Sequence, residues 1–314
     1  MDAESQIPLS SPTASWRHQL QRDVRAHPIT AISLLLALLA VLLLLAQSLV
    51  SLMMGDATLA TRYGAYGGLA GFAATALGAL PALVLRRVPQ KFEDAMLGFA
   101  AGMMLAASAF SLLLPGLAAA RDLTQSGGLA AVIVVFGMAL GVLLMLGLDQ
   151  FTPHEHDKTG PCGPGYQACP RVWLFVFAIA LHNLPEGMAI GVSFARGDMS
   201  VGLPLTTAIA LQDIPEGLAV ALTLYAAGFR SLVAVGVAIL TGLLEPIGAL
   251  IGIGLASGLA MAYPIGLGLA AGAMLFVVSH EVIPETHRNG HQTFATLGLM
   301  LGFALMMTLD TALG

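Results

Sequence analysis

The sequence predicts an all-α polytopic membrane protein, on three observations. Of its 314 residues, 57% are hydrophobic and only 10% are charged, and the mean hydropathy is +0.84, a balance that sets ordinary soluble domains aside. The apolar residues gather into nine stretches, each long enough to cross a hydrocarbon core of about 30 Å as a helix. The basic residues lie between those stretches rather than within them.

Residues 1–29 form a polar tail containing Arg17, Arg22 and Arg25, and 30–54 reads as an extra N-terminal transmembrane helix. That run is too long, and its polar leader too extended, for a cleaved signal sequence. Further spans are predicted near 63–85, 94–120, 127–149, 172–195, 201–228, 231–257, 261–286 and 291–313. Residues 63–314 thus make one eight-helix unit, interrupted by a polar loop at 150–171. Its two cysteines, Cys162 and Cys169, are the only ones in the chain and supply no disulfide framework.

Alternating the connections from a cytoplasmic N-terminus puts Arg17, Arg22, Arg25, Arg86, Arg87, Lys91, Lys158, Arg171, Arg230 and Arg288 inside. Only Arg62, Arg121 and Arg196 fall outside. This asymmetry predicts a cytoplasmic 150–171 loop and an external C-terminus.

Two motif copies interrupt the apolar pattern: His182-Asn183-Leu184-Pro185-Glu186-Gly187 and Gln212-Asp213-Ile214-Pro215-Glu216-Gly217. Both fall about a dozen residues into their helices, as does Glu245 in the next one, so all three lie near the bilayer midplane at 1.5 Å rise per residue. His182 and Glu186, like Gln212 and Glu216, are i,i+4 neighbours, so each helix aims several donors at one side. A charged group at that depth costs roughly 2.5–3.5 kcal/mol, so Glu186, Asp213, Glu216 and Glu245 together call for about 10 kcal/mol of compensation. No Lys or Arg lies between Arg196 and Arg230, or between Arg230 and Arg288. A divalent metal ion is the leading partner for these acids. Pro185 and Pro215 remove amides opposite the carbonyls of Leu181 and Leu211, kinking each helix beside its donors.

Together with Glu245-Pro246, the two copies resemble the signature of the ZIP (Zrt-, Irt-like protein) family, in its bacterial GufA-type branch. Order, spacing and helix placement all agree, over 63–314. The resemblance implies a ZIP-type eight-helix core with an inverted repeat, and uptake of divalent transition metals into the cytoplasm by an elevator-like slide. Zinc is the chief ion implied, with cadmium as a surrogate and iron and manganese as related cargo. It further implies a binuclear site. One position takes His182, Glu186, Gln212 and Glu216, with Met104 as an additional contact. The other takes Asn183, Asp213 and Glu245, bridged by Glu186 and Glu216. Gln212 departs from the histidine that many members carry, which bears on selectivity because an amide oxygen is harder than imidazole.

His280-Glu281-Val282-Ile283-Pro284-Glu285 echoes the motif nearer the cytoplasmic end, and His280 and Glu281 are read either as an exit route or as a polar cap. Its first residues begin a zinc-protease pattern, but Pro284 stands where the second histidine belongs. His154 and His156, with Glu155, Cys162 and Cys169, form either a cytoplasmic metal trap or a solvated loop. Asp149 lies beside them at a helix end, and Asp122 and Asp310 fall near the outer face. Ser108 and Ser111 read equally as packing hydroxyls or as conduit residues.

The expected partners are divalent ions and the lipid bilayer, not nucleic acid. The small-residue helix faces permit a homodimer. Transport, not catalysis, is the first reading. An intramembrane metal-dependent hydrolase using Glu186 or Glu216 as base is the alternative, and a metal-free proton relay is a third.

Overall fold

The structure is a computed structural model. It describes residues 28–55, 57–85, 88–151, 154–156, 160–162, 171–256 and 259–313, together with Arg25. Arg17, Arg22, Arg86, Arg87, Asp157, Lys158 and Cys169 lie outside the described residues, as do the side chains of Asp149, His154, Glu155, His156, Cys162 and Arg171.

Among the described residues nine helical runs follow one another: α1 Pro28–Met54, α2 Leu59–Leu83, α3 Gln90–Thr124, α4 Gly127–Phe151, α5 Arg171–Phe194, α6 Met199–Ala226, α7 Ser231–Ala256, α8 Ala262–Thr286 and α9 Gln292–Leu313. Their bounds agree with the predicted spans to within a few residues. In the 150–171 loop, β1 (His154–His156) pairs antiparallel with β2 (Gly160–Cys162). Helix starts are fixed locally. The side chain of Thr58 caps α2 by accepting from the Thr61 amide at 3.2 Å, and that of Asp198 caps α6 by accepting from the Ser200 amide at 2.9 Å. Gly197 takes φ +71 in the short link between α5 and α6, a left-handed conformation that glycine adopts without steric cost. That turn sets the two motif helices antiparallel.

The helices associate in two groups. In one, α2 packs along α6, α5 along α7, and α2 also meets α7; in the other, α3 packs along α9 and α4 along α8. Exchanging α2, α3 and α4 with α7, α8 and α9, and α5 with α6, maps this pairing onto itself. Each helix of the first triplet stands five places before its mate, with four helices between them, so the triplets run in opposite directions and the repeat is inverted. The break in regular helix is repeated too. α3 carries a π segment at Ala107–Leu113 followed by Pro115, and α8 carries one at Val278–Val282 followed by Pro284. In each, the proline stands two residues after the end of the widened turn.

Glycine pairs spaced four apart build the tightest contacts. Gly98 and Gly102 of α3 abut the backbone at Ala295 and Leu299, while Gly298 and Gly302 of α9 abut Ala95 and Phe99. Gly137 and Gly141 of α4 face Ile265 and Leu269, answered by Gly268 and Gly272 of α8 against Val134 and Met138. In α5, Gly187 and Gly191 meet Glu245 and Ala249, and in α7, Gly248 and Gly252 meet Leu184 and Met188. At all twelve positions a Cβ would strike the partner's backbone, so close van der Waals packing replaces the hydrophobic drive that lipid removes.

The outward faces are apolar, with Leu129, Val132, Phe136 and Leu143 of α4 and Leu297 and Leu301 of α9 exposed in helical stripes. α1 lies on the outside of α7. It is tied there by Ser48 Oγ donating to the Leu250 carbonyl at 3.0 Å, and the Leu44 side chain fills the space over Gly254.

One polar cluster was not anticipated. Asp94, 1% exposed, accepts from His291 Nδ1 at 2.8 Å, Asn289 Nδ2 at 3.0 Å and Gln90 Nε2 at 3.2 Å. It fastens the start of α3 to the α8–α9 connection.

Candidate metal centre

Three helices of the first group bring the site together. α5 carries the first motif around Pro185, and α6 carries the second around Pro215. α7 is interrupted at Leu243, with regular helix over Ser231–Gly242 and again over Leu244–Ala256, so Glu245 stands in the first turn of the second half. The motif glycines allow the approach. Gly187 rests against the backbone of Glu245, and Gly217 against the carbonyl of Thr75 on α2.

Glu186, Asp213 and Glu216 each offer a carboxylate oxygen lying within 4.8 Å of the other two. The Gln212 amide donates to Glu186 Oε1, linking the two motif copies. Glu245 and Asp213 meet over Gly71 of α2, where a Cβ would fall on Glu245 Oε2 and come within 3.2 Å of Asp213 Oδ2. The other oxygen of Glu245 accepts from Thr75 Oγ1 at 2.6 Å. His182 and Asn183 are each 2% exposed on the same helix as Glu186, and Gln212, Glu216 and Glu245 are at most 3% exposed.

Six oxygens of this cluster are buried without a hydrogen-bond partner among the described residues: Glu186 Oε2, Gln212 Oε1, Asp213 Oδ2, both of Glu216, and Glu245 Oε2. Buried polar atoms are ordinarily paired, and buried carboxylates above all. Converging acceptors, most of them on helices α6 and α7, which carry no Lys or Arg, fit a cation. Oxygen donors with one imidazole suit a divalent ion of borderline hardness.

His182 Nδ1 lies 3.8 Å from Glu281 Oε2 of α8, so the echo motif reaches the central cluster instead of standing apart at the helix end. His280, exposed, stacks its ring on Phe276 with centroids 4.8 Å apart. Met104 is buried in α3 within the apolar cluster that includes Ile190, Leu205 and Ile209. Ser108 donates to the Met104 carbonyl at 2.8 Å, a packing role within its own helix. Ser111 donates to Asp310 Oδ1 at 2.6 Å, joining α3 to α9. The backbones of His154 and His156 lie in β1. Sequence reasoning missed Gly71 and Thr75, since neither carries a conspicuous ligand group; their signal was a run of small residues, Gly64, Gly67, Gly68, Gly71 and Thr75, along one face of α2.

The profile of the family described as ZIP Zinc transporter matches residues 153–310. The chain is 61% identical to the zinc transporter ZIPB of Bordetella bronchiseptica over 97% of its own length and 99% of the relative's. It is 43% identical to the zinc transporter GufA of Myxococcus xanthus, covering 74% of this chain and 92% of that one. To the human zinc transporter ZIP11 it is 31% identical, over 70% of this chain and 88% of the other.

Proposed function

This chain belongs to the ZIP zinc transporter family, and from that premise we propose that it carries zinc, and cadmium as a surrogate, into the cytoplasm across a bacterial inner membrane. The observation that carries the reading is the set of six buried, unpartnered oxygens contributed by Glu186, Gln212, Asp213, Glu216 and Glu245. An ion stripped of water exchanges its hydration shell for these donors at midplane depth, where an uncompensated charge is costly. His182, Glu186, Gln212 and Glu216 form one position, and Asn183, Asp213 and Glu245 the other, with Glu186 and Glu216 between them. Met104 is a peripheral contact at most. His280 and Glu281 continue the path toward the cytoplasm, as the approach of Glu281 to His182 supports, and His154 and His156 receive ions in the loop. The N-terminus is cytoplasmic and the C-terminus periplasmic, by the distribution of basic residues.

The grouping of helices supports an elevator-like movement. All three ligand-bearing helices pair among themselves and with α2, while α3, α4, α8 and α9 form a separate set of pairs. The first group therefore has the construction of a carrier, and the second that of a scaffold. A homodimer through the apolar outer faces is consistent with this arrangement. The protein is a transporter and not an enzyme, in keeping with its family.

The test is reconstitution in liposomes loaded with a zinc-sensitive dye, comparing wild type with His182→Ala and Glu216→Ala. Saturable influx in wild type and its loss in both variants is the expected result. Equal flux in all three overturns the assignment to this site.

A further inference from the structure

We propose that Thr75 is the positioning residue that holds Glu245 to one-oxygen coordination and so biases the site toward small divalent ions over larger ones. The proposal rests on the transport reading above and adds a specificity determinant to it. Thr75 is 2% exposed and donates to Glu245 Oε1 at 2.6 Å, in the range of charge-assisted O–H···O⁻ bonds. Two glycines of the neighbouring helices close around it. A Cβ on Gly242, at the interruption of α7, would come within 2.9 Å of Thr75 Cβ and 3.2 Å of its Oγ1. Gly217 of the second motif abuts the Thr75 carbonyl. The hydroxyl therefore sits beside the break in α7, one turn along α2 from Gly71.

The consequence falls on Glu245. With Oε1 engaged, only Oε2 is presented to the space over Gly71, beside Asp213 Oδ2, and Oε2 is one of the buried oxygens without a partner among the described residues. A carboxylate that offers one oxygen suits a small ion of low coordination number, as zinc is. One that offers both suits a larger ion, since selectivity among hard-ligand sites follows ligand number and flexibility. Replacing the hydroxyl by a methyl frees Oε1 for chelation and favours cadmium.

The experiment measures initial rates of zinc and cadmium influx into liposomes for wild type, Thr75→Val and Thr75→Ser, with Glu216→Ala as reference. In Thr75→Val the cadmium-to-zinc ratio of kcat/KM is expected to rise about fivefold or more, the factor corresponding to one ordinary hydrogen bond. Thr75→Ser, which keeps the hydroxyl, is expected to hold the wild-type ratio. A purely structural role for Thr75 lowers both rates together and leaves the ratio alone. An unchanged ratio in Thr75→Val, or an equal shift in Thr75→Ser, overturns the proposal. Should Thr75→Val not fold, Thr75→Ala removes the donor without adding bulk against Gly242, and the same two outcomes decide. Wild-type flux in Glu216→Ala would strike the transport reading itself, and this proposal with it.

Discussion

Gln212 of the second motif donates its side-chain amide to the carboxylate of Glu186 in the first, so the two copies are hydrogen-bonded through non-equivalent positions. The bond fixes the orientation of the amide: with the nitrogen committed to Glu186, Gln212 Oε1 is left as a buried acceptor. In the proposed site Gln212 has two roles, as a donor that orients Glu186 and as an oxygen that faces the cargo. Gln212→Ala is expected to raise the KM for zinc about 10- to 100-fold, the usual cost of losing a group that orients a ligand. Glu216→Ala, which removes two acceptor oxygens and a charge, should do more. Dose–response curves of liposome influx decide it; a KM unchanged in Gln212→Ala would show that the amide contributes neither role.

Gly187 and Gly236 lie in neighbouring helices but in opposite circumstances. A methyl on Gly187 would enter the backbone of Glu245, whereas one on Gly236 meets nothing within 4 Å. Gly187→Ala should separate α5 from α7, costing about 1–3 kcal/mol as overpacking does, and should lower both the Tm in detergent and the uptake rate. Gly236→Ala should leave both within experimental error of wild type, since substitutions that meet no neighbour change stability by about 0.5 kcal/mol or less. Equal melting points for the two variants would contradict the packing argument.

The spans and the buried acids were readable because each rests on a strong local signal. Long apolar runs can only be helices in lipid, and carboxylates inside such runs have few inexpensive explanations. Glu186, Asp213, Glu216 and Glu245 therefore announced themselves. What stayed hidden depends on which helix faces which. Gly71 and Thr75 become part of the site only because α2 packs along α6 and α7. The reach of Glu281 to His182 depends on how α8 passes α5, which residue counting along α8 alone placed nearer the membrane surface. The reciprocal glycine pairs were visible as spacing, yet nothing in the spacing assigned α3 to α9 or α4 to α8. The interruption of α7 at Leu243 carries no proline at that residue; Pro246 follows it by three.

Asp94 offers a stability test remote from the carboxylate cluster. It accepts three side-chain hydrogen bonds, from His291, Asn289 and Gln90, and is itself buried. Asp94→Ala leaves those donors without their acceptor and unties the start of α3 from the α8–α9 connection. A loss of about 1–3 kcal/mol is expected, read as a lower Tm in detergent. Asp94→Asn keeps the shape and one acceptor oxygen, so its loss should be smaller. A melting point at the wild-type value in Asp94→Ala would mean that the cluster holds nothing together.

Proton release is the most direct consequence of a site built from acids. A carboxylate or an imidazole must be unprotonated at the atom that ligates, so metal binding displaces whatever protons the cluster holds. With Glu186, Asp213 and Glu216 offering oxygens within 4.8 Å of one another, and no Lys or Arg between Arg196 and Arg230, like charges in the cluster repel one another unless a cation stands beside them. The sign follows. Lower pH adds protons to the metal-free state and none to the loaded state, so metal affinity must fall as pH falls, and KM for zinc must rise. Addition of zinc to purified protein in weakly buffered solution should acidify it, and Glu216→Ala should release fewer protons per protein. Saturable uptake with a KM indifferent to pH and no acidification on binding would mean that the cluster is occupied by something other than exchangeable protons before the metal arrives.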